Sequence, residues 1–394
     1  MKIHWLGLII VAVLCIAMDV YICRRLRRTG YRGTSWFNAA LAVLTAVLAT
    51  GVAVMPLSDA STSNGTFVIG QYMLYTFFAI LAPKVLGLLI YGIGRLLRQR
   101  WMTVLAFIVA ALVFGVMWWG AVVTPGKVEV KEVEMAFDNL PDAFDGYRIV
   151  QWSDAHLGTY NGRRAIVEKQ IKTINDLHPD MICFTGDLVS RETNEAEPYR
   201  DLLASLHAPD GVLSVLGNHD YDDYVHWDSE KAKLADRKAL CDLQTAAGWK
   251  LLNNNHTVIK RGDDQIVIIG TENYGDHIGD KRGNITSAYS APRDGNFKIL
   301  LQHNPYAWRA NVLPNSNVDL MLAGHTHAWQ LMLSLGNWRW SPASFRYPEW
   351  GGEYREGNQR LYVNIGTGMV GTPMRIGTPP EITVITLKKK VPSP

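Results

Sequence analysis

Four apolar stretches occupy most of the first 123 residues: 3–23, 36–56, 71–94 and 102–123. Each is about 20 residues or longer, and a helix rising 1.5 Å per residue crosses the hydrocarbon core of a bilayer in that length. Nothing else in the chain constrains its fold so strongly. Lipid offers no water to unpaired backbone groups, so runs of this kind are expected to fold as helices. The first stretch lacks a basic start of any size and three more follow it, which predicts a retained span and not a cleaved signal.

Charge divides the chain at the same place. Residues 1–123 hold ten Lys/Arg against two Asp/Glu, leaving 29 basic and 34 acidic residues for the remainder. The net charge of +3 is therefore membrane-flank charge, and no nucleic-acid binding is implied. Arg24, Arg25, Arg27, Arg28 and Arg32 follow the first span, and Arg95, Arg98 and Arg100 follow the third. The connection "LSDASTSNGTFVIG" between spans two and three has no basic residue. The positive-inside rule puts the Arg-rich loops in the cytoplasm. That predicts an integral protein of the inner (plasma) membrane, with everything after span four extracytoplasmic.

Lys84, next to Pro83, is the only basic residue well inside a span. Counted from the outer ends of spans one and three, Asp19 and Lys84 lie at similar depth, about 20 Å in, but counted from the inner Arg clusters they differ by about 9 Å. Either the two pair between adjacent spans, or Lys84 snorkels to a headgroup or reaches a helix carbonyl freed by Pro83. The four cysteines, Cys15, Cys23, Cys183 and Cys241, show no paired spacing and predict neither a disulfide framework nor a zinc knuckle.

From about Val128 the pattern changes. "YRIVQW", "DMICFTG", "GVLSVLG", "IVIIG", "FKILLQH", "VDLMLAG", "LYVNIG" and "ITVITL" read as strands rich in β-branched residues. "GRRAIVEKQIKTINDLH", "EPYRDLLASLH" and "SEKAKLADRKALCDLQTAAG" have helical spacing. Strand–helix alternation followed by mostly strands predicts an α/β domain of two packed sheets with helices outside, an αββα arrangement. The expected organisation is a four-span domain at 1–123, a linker and first strand at 124–145, and the α/β domain at 146–394.

Five of the strand-like runs end in polar turns: "SDAH" (153–156), "GDL" (186–188), "GNHD" (217–220), "QHN" (302–304) and "GHTH" (324–327). Five of the eleven histidines fall in these turns, and the carboxyl ends of strands are where α/β domains gather their sites. The residue types offer imidazole nitrogen with carboxylate or amide oxygen and no thiolate, which suits divalent Mn, Fe or Zn. A carboxylate can bridge two such ions about 3.5–4 Å apart, a spacing suited to in-line displacement at phosphorus. A site of this kind would attract a phosphate anion and lower the pKa of a water within it.

In that order the five blocks resemble the calcineurin-like metallophosphoesterases over about residues 145–390. The closing "NIGTGMVGTPMRIGTPPEITVITL" and the four leading spans are similar to the membrane-tethered bacterial branch. The resemblance implies that Asp154, His156 and His327 hold one divalent ion, and that Asn218, His303 and His325 hold a second. It implies further that Asp187 bridges the two, that His219 is the general acid, and that Asp220 orients its imidazole. Other histidines (His4, His178, His207, His226, His256 and His277) are assigned surface or packing roles. One departure is visible: tethered relatives usually follow "GHTH" with two glycines and Gln, whereas here Ala328 and Trp329 precede Gln330. Residues 329–350 also carry Trp329, Trp338, Trp340 and Trp350, which suit either a packed loop or a lipid-facing rim.

The expected function is a membrane-anchored hydrolase of phosphate mono- or diesters or pyrophosphates. Four spans exceed what anchoring needs, which favours a lipid or lipid-linked substrate. A broad phosphodiesterase of soluble extracellular nucleotides is the alternative within the class. A non-catalytic membrane sensor is the alternative outside it.

Overall fold

A computed structural model describes residues 5–28, 32–55, 59, 61–275, 281–336 and 338–390. His4, His277 and the outer ends of the first two apolar stretches lie outside the described residues. The chain divides into two compact units, Met1–Val122 with Gly371–Met374, and Val123–Val370 with Arg375–Pro394.

The first unit is built on four helices, α1 (Trp5–Arg28), α2 (Arg32–Val54), α3 (Asn64–Leu96) and α4 (Met102–Val122). Among the described residues, two segments are long and apolar enough to cross a membrane, Asn64–Leu96 and Met102–Gly126. The apolar run of α2 is shorter, Ser35–Gly51, and α1 ends in an Arg-rich turn. Inside this unit Lys84 Nζ lies 2.7 Å from Asp19 Oδ1, and Asn38 Nδ2 donates to the same oxygen at 3.3 Å. The pair expected from depth is thus formed between α3 and α1, with α2 supplying a third polar group.

The second unit contains two six-stranded sheets. The first has the order β1 (Glu129–Phe137), β14 (Glu381–Lys389), β2 (Arg148–Trp152), β3 (Met181–Phe184), β4 (Val212–Ser214) and β5 (Lys250–Leu251). The second has the order β12 (Gly352–Glu356), β13 (Gln359–Val363), β9 (Leu320–Ala323), β8 (Phe297–Leu301), β7 (Asp264–Gly270) and β6 (Asn255–Arg261). β2 to β5 run parallel, as do β7, β8, β9 and β13. A short two-stranded hairpin, β10 (Leu333–Leu335) with β11 (Trp338–Trp340), stands apart from both sheets.

Strand alternation explains the layers. Ile149, Met181, Cys183 and Leu213 of the first sheet pack with Ile266, Ile268, Ile299 and Leu322 of the second, forming the core between the sheets. Their neighbours Val150, Ile182 and Phe184 point the other way, onto Val167 and Ile171 of helix α5 (Arg164–Asp176) and Leu240 and Leu243 of helix α7 (Glu230–Ala246). Between them comes the short α6 (Arg200–Ala204). Both faces of the central strands are covered, so these strands read as unbroken apolar runs. Within the segment expected to hold a linker and first strand, β1 pairs in parallel with β14 over its whole length.

Candidate metal centre

The five polar turns all follow parallel strands: β2, β3 and β4 of the first sheet, and β8 and β9 of the second. The structure brings their side chains together in two overlapping groups. Asp154, His156, Asp187 and His327 form one, and Asp187, His303 and His325 the other, with the donor atoms of each within 4.8 Å of one another. In the first group His156 Nε2 is 3.1 Å from His327 Nε2 and 3.4 Å from Asp187 Oδ2, and His327 Nε2 is 3.2 Å from Asp154 Oδ1. In the second, His303 Nε2 is 3.2 Å from Asp187 Oδ2 and 3.3 Å from His325 Nδ1. Asn218 Oδ1 joins this group, 3.0 Å from His303 Nε2 and 2.7 Å from His325 Nδ1.

These spacings fit a metal. Donors bound at about 2.1 Å and 90–109° apart lie roughly 3.0–3.4 Å from each other. The electrostatics fit as well. Burial holds His325 down at about 3, aided by neighbouring His303, and holds His327 down at about 4, so both imidazoles stay neutral with a lone pair to offer. Burial would push Asp187 up, but His303 and His219 hold its carboxyl well below the usual carboxylate range. Burial opposes the charge on His303 too, yet the Asp187 carboxylate raises it to about 9.

The turns achieve this convergence with an unusual backbone. Asp154, His156, Asp187, His325 and His327 all have positive φ, from 41° to 73°. Non-glycine residues reach this left-handed region at a cost, and such strain gathers at functional sites. Close packing demands glycine beside them. A Cβ at Gly324 would collide with Asp154 and Ser153, and one at Gly217 with Asp187. At the departure after "GHTH" the backbone is left-handed as well. Ala328, Trp329 and Gln330 sit at φ 48°, 45° and 58°, in a conformation that glycine enters without penalty.

Asp220 does not do what was expected of it. Its carboxylate accepts four backbone N–H groups, from Asp187 (2.8 Å), Gly217 (2.9 Å), Leu188 (2.9 Å) and Val189 (3.2 Å). The "GNHD" turn folds that side chain back onto its own start and across to the "GDL" turn, leaving it committed to backbone. The imidazole of His219 is instead oriented by the carbonyl of Ser190, which accepts from Nδ1 at 2.7 Å. His219 is tied to the centre by its own N–H, which donates to Asp187 Oδ1 at 2.8 Å, and its ring lies edge-on to His156. Burial holds it at about 4.

Sequence reasoning missed several residues that touch the centre. Ser190 also places Oγ 3.2 Å from His156 Nδ1, and the Thr185 carbonyl accepts from His303 Nδ1 at 2.8 Å. Tyr224 stacks on His219 at 3.9 Å and accepts from Asn218 Nδ2. The Tyr347 hydroxyl lies 2.8 Å from His325 Nε2. Arg375, wholly buried, places Nη2 3.1 Å from His327 Nδ1 while donating to the carbonyls of Gly368, Ile365 and Thr378. Ser190 offered one signal, three residues past Asp187; the others offered none. Of the remaining histidines, His256 packs against Tyr289 with Nδ1 at 2.8 Å from the Ala288 carbonyl.

Comparison with known proteins agrees with this geometry. The family model of calcineurin-like phosphoesterases matches residues 147–329. A second, described as the transmembrane domain of a probable calcineurin-like phosphoesterase, matches residues 4–125. The chain is 34% identical over 267 residues to the metallophosphoesterase YkuE of Bacillus subtilis, covering 67% of this chain and 87% of that one. It is 32% identical over 303 residues to a transmembrane protein with metallophosphoesterase domain from Danio rerio, covering 73% of this chain and 63% of that one. It is 29% identical over 301 residues to the UDP-2,3-diacylglucosamine pyrophosphatase LpxG of Chlamydia trachomatis, covering 63% and 86%. A match across most of a relative's length, and a family model spanning the turns that converge here, make this chain a calcineurin-like metallophosphoesterase, a hydrolase that carries a transmembrane domain ahead of its α/β domain.

Proposed function

We propose that this hydrolase works with two divalent ions (Mn, Fe or Zn) and cleaves a phosphate-ester or pyrophosphate bond of a lipid or lipid-linked substrate on the outer face of the membrane. The observation that carries the reading is Asp187, whose Oδ2 approaches His156 Nε2 in one donor group and His303 Nε2 in the other. Asp154, His156 and His327 would hold the first ion, and Asn218, His303 and His325 the second, with Asp187 shared. When bound, such ions neutralise charge on a phosphoryl group and make water nucleophilic at neutral pH.

The chain's own groups do the rest. Asp220 clamps the "GDL" and "GNHD" turns together, so that Asp187 and Asn218 keep their spacing. The Ser190 carbonyl fixes His219 with the proton on Nδ1, which leaves Nε2 as the atom that can carry a second proton to a leaving oxygen. An arriving phosphate anion favours that protonated form. The lipid-like substrate is supported by the transmembrane domain and by the LpxG relative, named for its action on UDP-2,3-diacylglucosamine. The outer face is supported by the arginine asymmetry.

The test uses full-length protein in detergent with Mn, on bis-nitrophenyl phosphate and on lipid pyrophosphates. Asp187→Asn and Asn218→Ala should each leave the thermal transition in place and retain less than about a tenth of the activity. Full activity in either variant would overturn the two-ion assignment. A reporter fused after Pro394 should give active alkaline phosphatase and dark green fluorescent protein; the reverse would move the reaction to the cytoplasm.

A further inference from the structure

The β10–β11 hairpin exposes a face that a water-soluble domain would not show to water. Leu333 pairs with Trp340 and Leu335 with Trp338, so these four side chains share one face, while Ser334 and Arg339 pair on the other. Leu335 is 80% exposed, and Leu333 and Trp338 are more than half exposed. Phe345, also 80% exposed, meets the edge of Trp340 at 5.9 Å. A lone two-stranded hairpin is marginal in water, and an apolar patch of this kind marks a contact surface.

The hairpin is not a loose loop. Thr326 Oγ1 donates to the Trp350 carbonyl at 2.6 Å, and Ser341 Oγ to the Ala328 carbonyl at 2.6 Å. Met332 N–H donates to the Ile376 carbonyl at 2.9 Å, and Tyr347 touches His325. The hairpin segment is thus pinned at both ends onto the turn that bears His325 and His327.

Two observations select the occupant. Residues 331–348 contain Arg339 and Arg346, both exposed, and no acidic residue, which complements an anionic lipid surface. The α/β unit begins at Val123, directly after an apolar helix long enough to cross a membrane, and its first strand starts at Glu129. Residues 123–128 could span at most about 20 Å even if fully extended, so the chain tethers this unit to that apolar helix at short reach. Tryptophan at the tip suits the headgroup–acyl boundary, where its apolar body and polar N–H are both satisfied.

We propose that the β10–β11 hairpin and Phe345 insert into the interface of the membrane that holds the chain, and that this presents the metal centre to molecules embedded in the lipid.

The test reconstitutes full-length protein into vesicles of phosphatidylcholine and phosphatidylglycerol. A polarity-sensitive NBD label is placed by Leu335→Cys and, as the reference, by Lys172→Cys on α5; labelled wild-type protein sets the background from native cysteines. The expected result is a blue-shifted emission at position 335 that lipids brominated along the acyl chain quench, with neither effect at 172. An unquenched label at 335 overturns the proposal. No turnover is needed, so this result is independent of the proposed reaction. In a second arm, Leu335→Asp should hydrolyse a soluble nitrophenyl ester in detergent as the wild type does. It should lose activity towards substrate embedded in vesicles and recover it when the same substrate is in detergent micelles. A loss that persists in micelles would place the substrate's own acyl chains on the hairpin and overturn bilayer docking.

Discussion

Loading the metal centre should expel a proton from His303. Its Nδ1–H is committed to the Thr185 carbonyl, so the atom it could offer a metal is Nε2, which lies 3.2 Å from the Asp187 carboxylate. Burial works against the charge, but Asp187 raises the imidazole to about 9, and in the metal-free protein Nε2 carries a proton at neutral pH. A metal requires the neutral ring, so binding must displace that proton. The sign follows: the folded value is above the ordinary one of about 6.5, so the charged pair is fully present below that pH and fades as pH rises through about 9. Metal binding therefore strengthens over the same rise. At pH 7, well below about 9, displacing that proton weakens metal affinity relative to its value at high pH. Calorimetric titration with Mn in buffers of different ionisation heat should show about one proton released at pH 7 for the second ion, falling to about half near pH 9. Asp187→Asn removes the charge that raises His303, so release at pH 7 should fade with it. Binding without proton release at pH 7 would refute the argument.

Three further outcomes follow from the same geometry. His219→Ala should keep its metal but turn over about 10²–10⁴-fold more slowly on alkyl esters, with a smaller loss on nitrophenyl esters whose leaving group needs no proton; equal losses would count against the acid role. Asp220→Ala should unfold at least about 3 kcal/mol more easily in denaturant titrations, because four buried N–H groups lose their acceptor; a change under about 1 kcal/mol would show that water replaces it. In the helical unit, Asp19→Asn and Lys84→Met should each lower stability in detergent, and the double variant should recover part of the loss; strictly additive losses would show that the 2.7 Å pair contributes nothing.

The sheets were legible where burial was complete. β2, β3, β7, β8, β9, β13 and β14 are buried over most of their length, and each holds a short run rich in apolar, β-branched residues that the sequence shows, even where a polar residue such as Gln151, Lys298 or Thr383 interrupts it. β6 and β12 were not read as strands, because edge strands alternate between exposed and half-buried residues and resemble polar loop. β10 and β11 escaped for the opposite reason: their apolar residues face outward, where no pattern based on a core would place them. Of the helix read from 197–207, only Arg200–Ala204 is α-helical, and Glu197–Tyr199 forms a tighter 3-10 turn ahead of it.

The residues that converge at the candidate centre were legible because metal chemistry restricts residue type, and His, Asp and Asn at strand ends are few. What supports them was not. The acceptors that orient His303 and His219 are backbone carbonyls, which every residue owns, so neither Thr185 nor Ser190 announces its part. Asp220 misled through adjacency: next to His219 in sequence, it sits in a tight turn that sends the two side chains to different partners. That division has a consequence for how variants should behave. Asp220→Ala should loosen the spacing of Asp187 and Asn218, and with it metal affinity, while the Ser190 carbonyl that aims His219 stays in place. Losses of metal and losses of proton transfer should therefore separate between these two neighbours of the same histidine, although the sequence places only one of them beside it.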